Sequence, residues 1–213
     1  DVIQLPLNDL PKVNLNSQNK LKNNIVLSKL SYKYKPELKD VLRDVDLEIK
    51  AGECIGIIGP TGSGKTTLID IIMGLLVPTK GHILIDGIDI HKKSNNVQLR
   101  NWLSNISTVP QSIFLSDNSI TENIAFGLPK EDIDIERVKS AAIQAQVSDY
   151  IESCKDKYMT IVGERGIKLS GGQIQRIGVA RSLYKNSSVL LFDEATSALD
   201  SQTEAALLNS LMK

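Results

Sequence analysis

The sequence predicts an α/β domain, and three observations predict it. Short apolar runs of strand length alternate with segments of helical period. A glycine-rich loop, Gly59-Pro60-Thr61-Gly62-Ser63-Gly64-Lys65-Thr66-Thr67, separates the nearly all-apolar run Glu53–Ile58 from a helical pattern that starts at Lys65. A second apolar run, Ser188–Phe192, ends in the acid pair Asp193-Glu194. Strands apolar on both faces belong in a sheet covered on both sides. At 213 residues the chain buries a good core in one such domain.

The elements follow in order. Asp1–Asn24 is rich in Asn, Lys, Leu and Pro without periodicity and reads as a solvated linker. Ile25–Tyr34 and Val45–Ile49 alternate apolar and polar, as antiparallel strands with one buried face do. Ala51-Gly52 turns the chain into the strand Glu53–Ile58, and the glycine loop leads to a helix over Lys65–Leu75. Pro78 and Gly81 end that unit, His82–Asp86 is a strand, and Asp86-Gly87 is a turn. Helices are predicted at Gln98–Leu103, Ser119–Ala125, Ile135–Gln146 and Val147–Ser153, which makes residues 97–162 a helical subdomain. After the loop Gly163–Leu169 come a helix over Gly171–Tyr184, the strand Ser188–Phe192 and a last helix over Ser201–Met212.

Composition narrows the function classes. Lys+Arg 25 balances Asp+Glu 25, without the basic excess of nucleic-acid binders, so no nucleic-acid partner is expected. Cys54 and Cys154 lack metal-ligand spacing and read as reduced thiols of a cytosolic protein. No run approaches the roughly 20 apolar residues of a membrane helix, and Asp1–Leu10 has no signal-peptide pattern, so any membrane part is expected outside this sequence. Trp102 reads as a packing residue, and His82 and His91 as structural or exposed.

Three segments carry chemistry. In the glycine loop, Gly59, Gly62 and Gly64 allow backbone conformations and approaches that side chains block. Successive N–H groups then face a phosphate at the positive end of the following helix. Lys65 supplies a point charge to the phosphates, and Thr66 a hydroxyl to Mg²⁺. Asp193 and Glu194 point to different sides at the carboxyl end of a strand, where open sheets bind ligands. There Glu194 is a candidate general base. The third segment, Leu169-Ser170-Gly171-Gly172-Gln173, opens a helix with Ser170 as N-cap and glycines that expose N–H groups, a terminus suited to a γ-phosphate.

Together and in this order, the three segments resemble the ATP-binding cassette ATPases over Ile25–Lys213, and specifically the nucleotide-binding domain of exporters. The resemblance implies the P-loop NTPase fold of that family: a mixed core sheet, an antiparallel β subdomain and a helical subdomain. It implies ATP held by Tyr34, Gly59–Thr67, Gln111, Ser170–Gln173 and Asp200, with Tyr34 stacked on adenine. Mg²⁺ falls to Thr66, Gln111 and Asp193, and catalysis to Glu194, Gln111 and Lys65, with no other metal. Gln111 in Val109-Pro110-Gln111 matches the Q-loop, and Ser197-Ala198-Leu199-Asp200 the D-loop. Thr160–Gly166 and Ser119–Ile124 match exporter segments, the first next to coupling helices of a membrane domain.

The implied function is ATP-driven export or flipping across a membrane, from its cytoplasmic face. The implied partners are a transmembrane domain and a second, head-to-tail nucleotide-binding domain. The weighed alternatives are a soluble cassette ATPase acting on nucleic acid or ribosomes, and a nucleotide-binding module without turnover. The family's switch histidine is not matched by His82 or His91, which suggests a fragment truncated at its C-terminal side, weak or inactive by itself.

Overall fold

The computed structural model describes residues 20–92, 96–193, 205–207 and 210. Residues 1–19 of the expected linker 1–24, Glu194, the D-loop match with Asp200, and most of the helix expected over Ser201–Met212 lie outside them.

The antiparallel unit forms as the alternation demands. Strands β1 (Asn24–Tyr32), β2 (Leu42–Lys50), β3 (Lys80–Ile85) and β4 (Ile88–Asp89) make a four-stranded sheet in the order β2-β1-β3-β4. Its inner face carries Ile25, Leu27, Leu30 and Ile83, all buried. Helix α1 (Lys65–Ile72) packs Leu68, Ile71 and Ile72 into the same core. Gly81, at φ 77°, lets β3 cross tightly over β1, where a Cβ would collide with the carbonyl oxygens of Ser28 and Lys29.

The helical part holds α2 (Asn96–Ser104), α3 (Ile120–Ile124), α4 (Ile135–Gln144), α5 (Ser148–Ser153) and α6 (Gly171–Tyr184). Within the span expected to be helical lies a strand, β5 (Ile106–Val109), parallel to β6 (Val189–Phe192). This pair is the wall between two cores. Ile106, Val189 and Leu191 join the core of the antiparallel sheet, whereas Val109 and Phe192 join that of the helices. The period of two along each strand sends alternate side chains to opposite sides. Trp102 packs at this junction, 4% exposed, and its indole N–H donates to Ile72 O at 2.7 Å.

One expected strand is absent. Glu53–Ile58 forms no ladder and is exposed, with Ile58 at 95%. An all-apolar strand needs hydrogen-bonded neighbours on its edges and layers on its faces. Among the described residues, β5 and β6 bond only to each other, so the segment runs as coil from the Ala51-Gly52 turn to the glycine loop.

The entry into β1 is fixed by one carboxylate. Asp86, in the turn after β3, accepts the N–H groups of Lys22, Asn23 and Asn24 at 2.9, 2.7 and 3.1 Å. Burial works to raise its carboxyl pKa, but these bonds and the nearby Lys22 charge outweigh it and hold the pKa low. A carboxyl lowered on folding stabilises fully above its unfolded pKa near ~3.9, and that stabilisation is lost as pH falls through the folded value. Asp86→Ala is expected to cost about 1 kcal/mol at pH 7, since the site is open to solvent screening. In urea titrations the gap between variant and parent should close as pH falls through the lowered carboxyl pKa; a gap independent of pH would rule the carboxylate out.

Candidate functional site

The glycine loop is built around two left-handed glycines. Gly62 has φ 80°, and Gly64, the N-cap of α1, has φ 92°. A Cβ on Gly64 would press against Val41 and Leu42. Gly59 comes so close to Ser63 that an added Cβ would meet its Oγ at 2.8 Å. Lys65 Nζ folds back over the loop and donates to Gly59 O at 2.9 Å and Pro60 O at 3.1 Å. The ammonium thus sits within the turn that Gly59–Gly64 draws, and Thr66, next in the chain, is exposed. Backbone amides, an ammonium and a hydroxyl form a donor set that fits a polyphosphate with its Mg²⁺.

Tyr34 belongs to this loop rather than to the core. It lies beyond the end of β1, 56% exposed. Its hydroxyl shares a 3.0 Å hydrogen bond with Thr67 Oγ1, and its ring meets that of Tyr32 edge to face at 5.1 Å. Burial raises the Tyr32 phenol pKa, helped by Tyr34 and Asp70.

Parallel pairing gathers the next residues. β5 and β6 run from Ile106↔Val189 to Val109↔Phe192, so their carboxyl ends coincide. Asp193 N donates to Val109 O at 3.1 Å, and Gln111, exposed, follows directly from Val109-Pro110. On α1, Asp70 has its carboxyl pKa raised by burial and by the charge of Asp193. The Gln111 segment and Asp193 therefore share one edge of the sheet, and Asp70 of α1 lies near enough to feel the Asp193 charge. Asp70 carried no sequence signal, because nothing in its spacing separates it from an ordinary polar helix position.

The Leu169–Gln173 segment forms the helix start expected of it. Ser170 Oγ accepts the N–H of Gln173 at 3.3 Å, and Gln173 Oε1 accepts that of Ser170 at 2.8 Å. This reciprocal capping box fixes the first turn of α6. Gly171 and Gly172 occupy the first two helical positions, whose N–H groups have no acceptor within a helix. Beyond that turn α6 is mostly interior, with Gln175, Ile177, Gly178, Val179, Ala180, Ser182 and Tyr184 buried.

The two exporter-like segments meet each other. Ile120 N donates to Thr160 O at 3.0 Å and Val162 N to Asn118 O at 3.1 Å, with a bridge between Ser119 and Ile161. Gly163, Arg165 and Gly166 all have positive φ, which coils Thr160–Gly166 tightly before α6.

The sequence profile of the ABC transporter family matches residues 42–197. The chain belongs to the ABC transporter family. The leukotoxin translocation ATP-binding protein LktB of Mannheimia haemolytica is 43% identical over 194 residues, covering 91% of this chain and 26% of that protein. That of Bibersteinia trehalosi is 42% identical over the same shares. A bacterial Atm1-family ABC exporter, solved with ATP bound, superposes with a TM-score of 0.80 at 36% identity, over 90% of this chain and 32% of that one. The chain therefore spans about a quarter of the length of these curated relatives. The fold is the ABC ATPase fold expected from the sequence. No helix among the described residues is long and apolar enough to cross a membrane.

In this ABC domain the capping box is the feature most open to direct test. Ser170→Ala should destabilise by about 1 kcal/mol. Amide exchange at Gln173 should accelerate in the same variant, and an unchanged rate there would show that the cap does not hold the turn.

Proposed function

We propose that this chain is the ATP-binding and ATP-hydrolysing motor domain of an ABC exporter, working at the cytoplasmic face of a membrane. One observation carries the reading: the chain holds a phosphate loop and, on a separate helix, a capped Ser170-Gly171-Gly172 terminus with Ser170 and Gly171 exposed. The translocation relatives and the ATP-bound exporter support it, and they lend nothing to a nucleic-acid or ribosomal role.

In this reading the amides of Gly59–Thr67 and the Lys65 ammonium hold the phosphates. Thr66, Gln111 and Asp193 supply oxygen ligands to Mg²⁺, which screens the phosphate charge when bound. Tyr34 offers its exposed ring to the adenine, with its hydroxyl anchored on Thr67. Glu194 accepts a proton from the attacking water, and Gln111 orients that water. The transfer needs little covalent help, so placement and electrostatics do most of the catalysis. Ser170, Gly171, Gly172 and Gln173 serve the nucleotide of a second domain across a two-fold axis, with Asp200 beside that interface. A transmembrane domain completes the exporter and selects its cargo.

Lys65→Ala removes charge-assisted bonds to phosphate and should weaken binding of a fluorescent ATP analogue by about tenfold or more. Unchanged affinity would remove the loop as the site. Glu194→Gln in the full-length protein should retain ATP binding and slow phosphate release by about a hundredfold or more. Near-normal release would exclude Glu194 as the base.

A further inference from the structure

A half-buried guanidinium joins the segment after Gln111 to the signature helix. Arg181 on α6 donates from Nε to Asn123 O at 2.8 Å, from Nη1 to Phe114 O at 3.0 Å and from Nη2 to Asn123 Oδ1 at 3.3 Å. Its flat face lies over the Phe126 ring, 4.5 Å from the centroid. These partners are carbonyl oxygens and a π face, not a carboxylate. Among the described residues a charge so placed gives up hydration without an opposite charge in return, and burial lowers its pKa. An apolar side chain would fill the space at less cost. What the guanidinium adds is a rigid planar fork that fixes several acceptors in one geometry.

The acceptors come from two segments that fix each other. Asn123, 0% exposed, takes the N–H of Ser116 on Oδ1 at 3.0 Å and donates from Nδ2 to Ser116 O at 3.0 Å and Ser119 O at 3.1 Å. A buried amide with its capacity filled is costly to disturb. Gly178 lies one turn before Arg181 on the same face of α6, and a Cβ there would collide with Ile113 Cδ1. Residues 113–116 are thus held in sequence: Ile113 on Gly178, Phe114 O on Arg181, Ser116 on Asn123.

We propose that Arg181 is a positioning residue for ATP hydrolysis: with Asn123 it makes the segment after Gln111 and the signature helix one rigid unit, so that Gln111 takes its place only where the signature helix carries it. The proposal rests on the ATPase reading above. Arg181 touches neither nucleotide nor water in it and acts through Gln111.

The test uses the full-length protein. Arg181→Lys keeps the charge and loses the fork. It should lower kcat for ATP about tenfold or more while KM stays within about twofold, because a small misplacement of a catalytic group acts on turnover. Amide exchange at Ser116 should accelerate while that at Gln173 stays unchanged. Adding Asn123→Ser to Arg181→Lys should cost little more than either alone, as expected of one unit. If Arg181→Lys does not fold, Asn123→Ser by itself carries the kcat and Ser116 readouts. An unchanged kcat, or a KM that rises as kcat falls, overturns the proposal, as does an unaltered Ser116 exchange rate. A parent protein that binds ATP without turnover defeats the ATPase reading instead, and Ser116 exchange then decides whether the tether exists.

Discussion

The site depends on the parallel pairing of β5 with β6. Parallel strands finish at the same edge of a sheet, so whatever follows them is brought together without further design. Here that rule delivers Pro110-Gln111 and Asp193 to one place, with Asp193 N bonded to Val109 O. The same pair separates the molecule into two cores, one facing the antiparallel sheet and α1, the other facing α3 to α6. A register slip of one residue would exchange the faces of every side chain in the strand and would displace Asp193 as well. Packing and chemistry therefore constrain the same few residues.

Electrostatics at that edge fits the proposed chemistry. Burial and the negative field of Asp193 both raise the carboxyl pKa of Asp70. In the proposed reading a cation at the end of β6 would offset that field. Lys65, whose ammonium already lies on the carbonyl oxygens of Gly59 and Pro60, has donors that a phosphate oxygen can take in exchange. In the proposed reading Asp193 and Lys65 would offer opposite charges to different parts of one ligand, a metal ion for the first and phosphate for the second.

What was legible in the sequence was local. The Ser170-to-Gln173 capping box is a spacing rule, the glycine loop is a pattern of allowed dihedrals, and β1 announces itself by alternation. Less legible were features set by partners distant in the chain. β5 was hidden in a stretch that reads as helical, because Ile106–Val109 is too short for periodicity and becomes a strand only beside β6. Glu53–Ile58 shows the converse: its apolar content predicts a central strand, yet composition supplies no neighbours, and among the described residues it has no ladder. Asp86 and Arg181 look like any turn acid or helix arginine until three N–H groups converge on one and three carbonyl contacts on the other.

The signature helix shows how burial and exposure divide along a single element. Its capping box satisfies the N–H groups of Ser170 and Gln173, which leaves those of Gly171 and Gly172, the remaining two of the four that a helix cannot serve itself. Glycine at both keeps side chains from screening them. The remainder of α6 is anchored by its buried face and by Arg181, so these two donors are aimed by a rigid body rather than by a loop. Rigid donors stabilise charge well because they need no reorganisation when it arrives. In the proposed dimer they would face the partner domain's nucleotide, and the Arg181 tether would make their arrival the event that sets Gln111 in its own site. Hydrolysis in one half would then answer to the docking of the other through a path made of named hydrogen bonds.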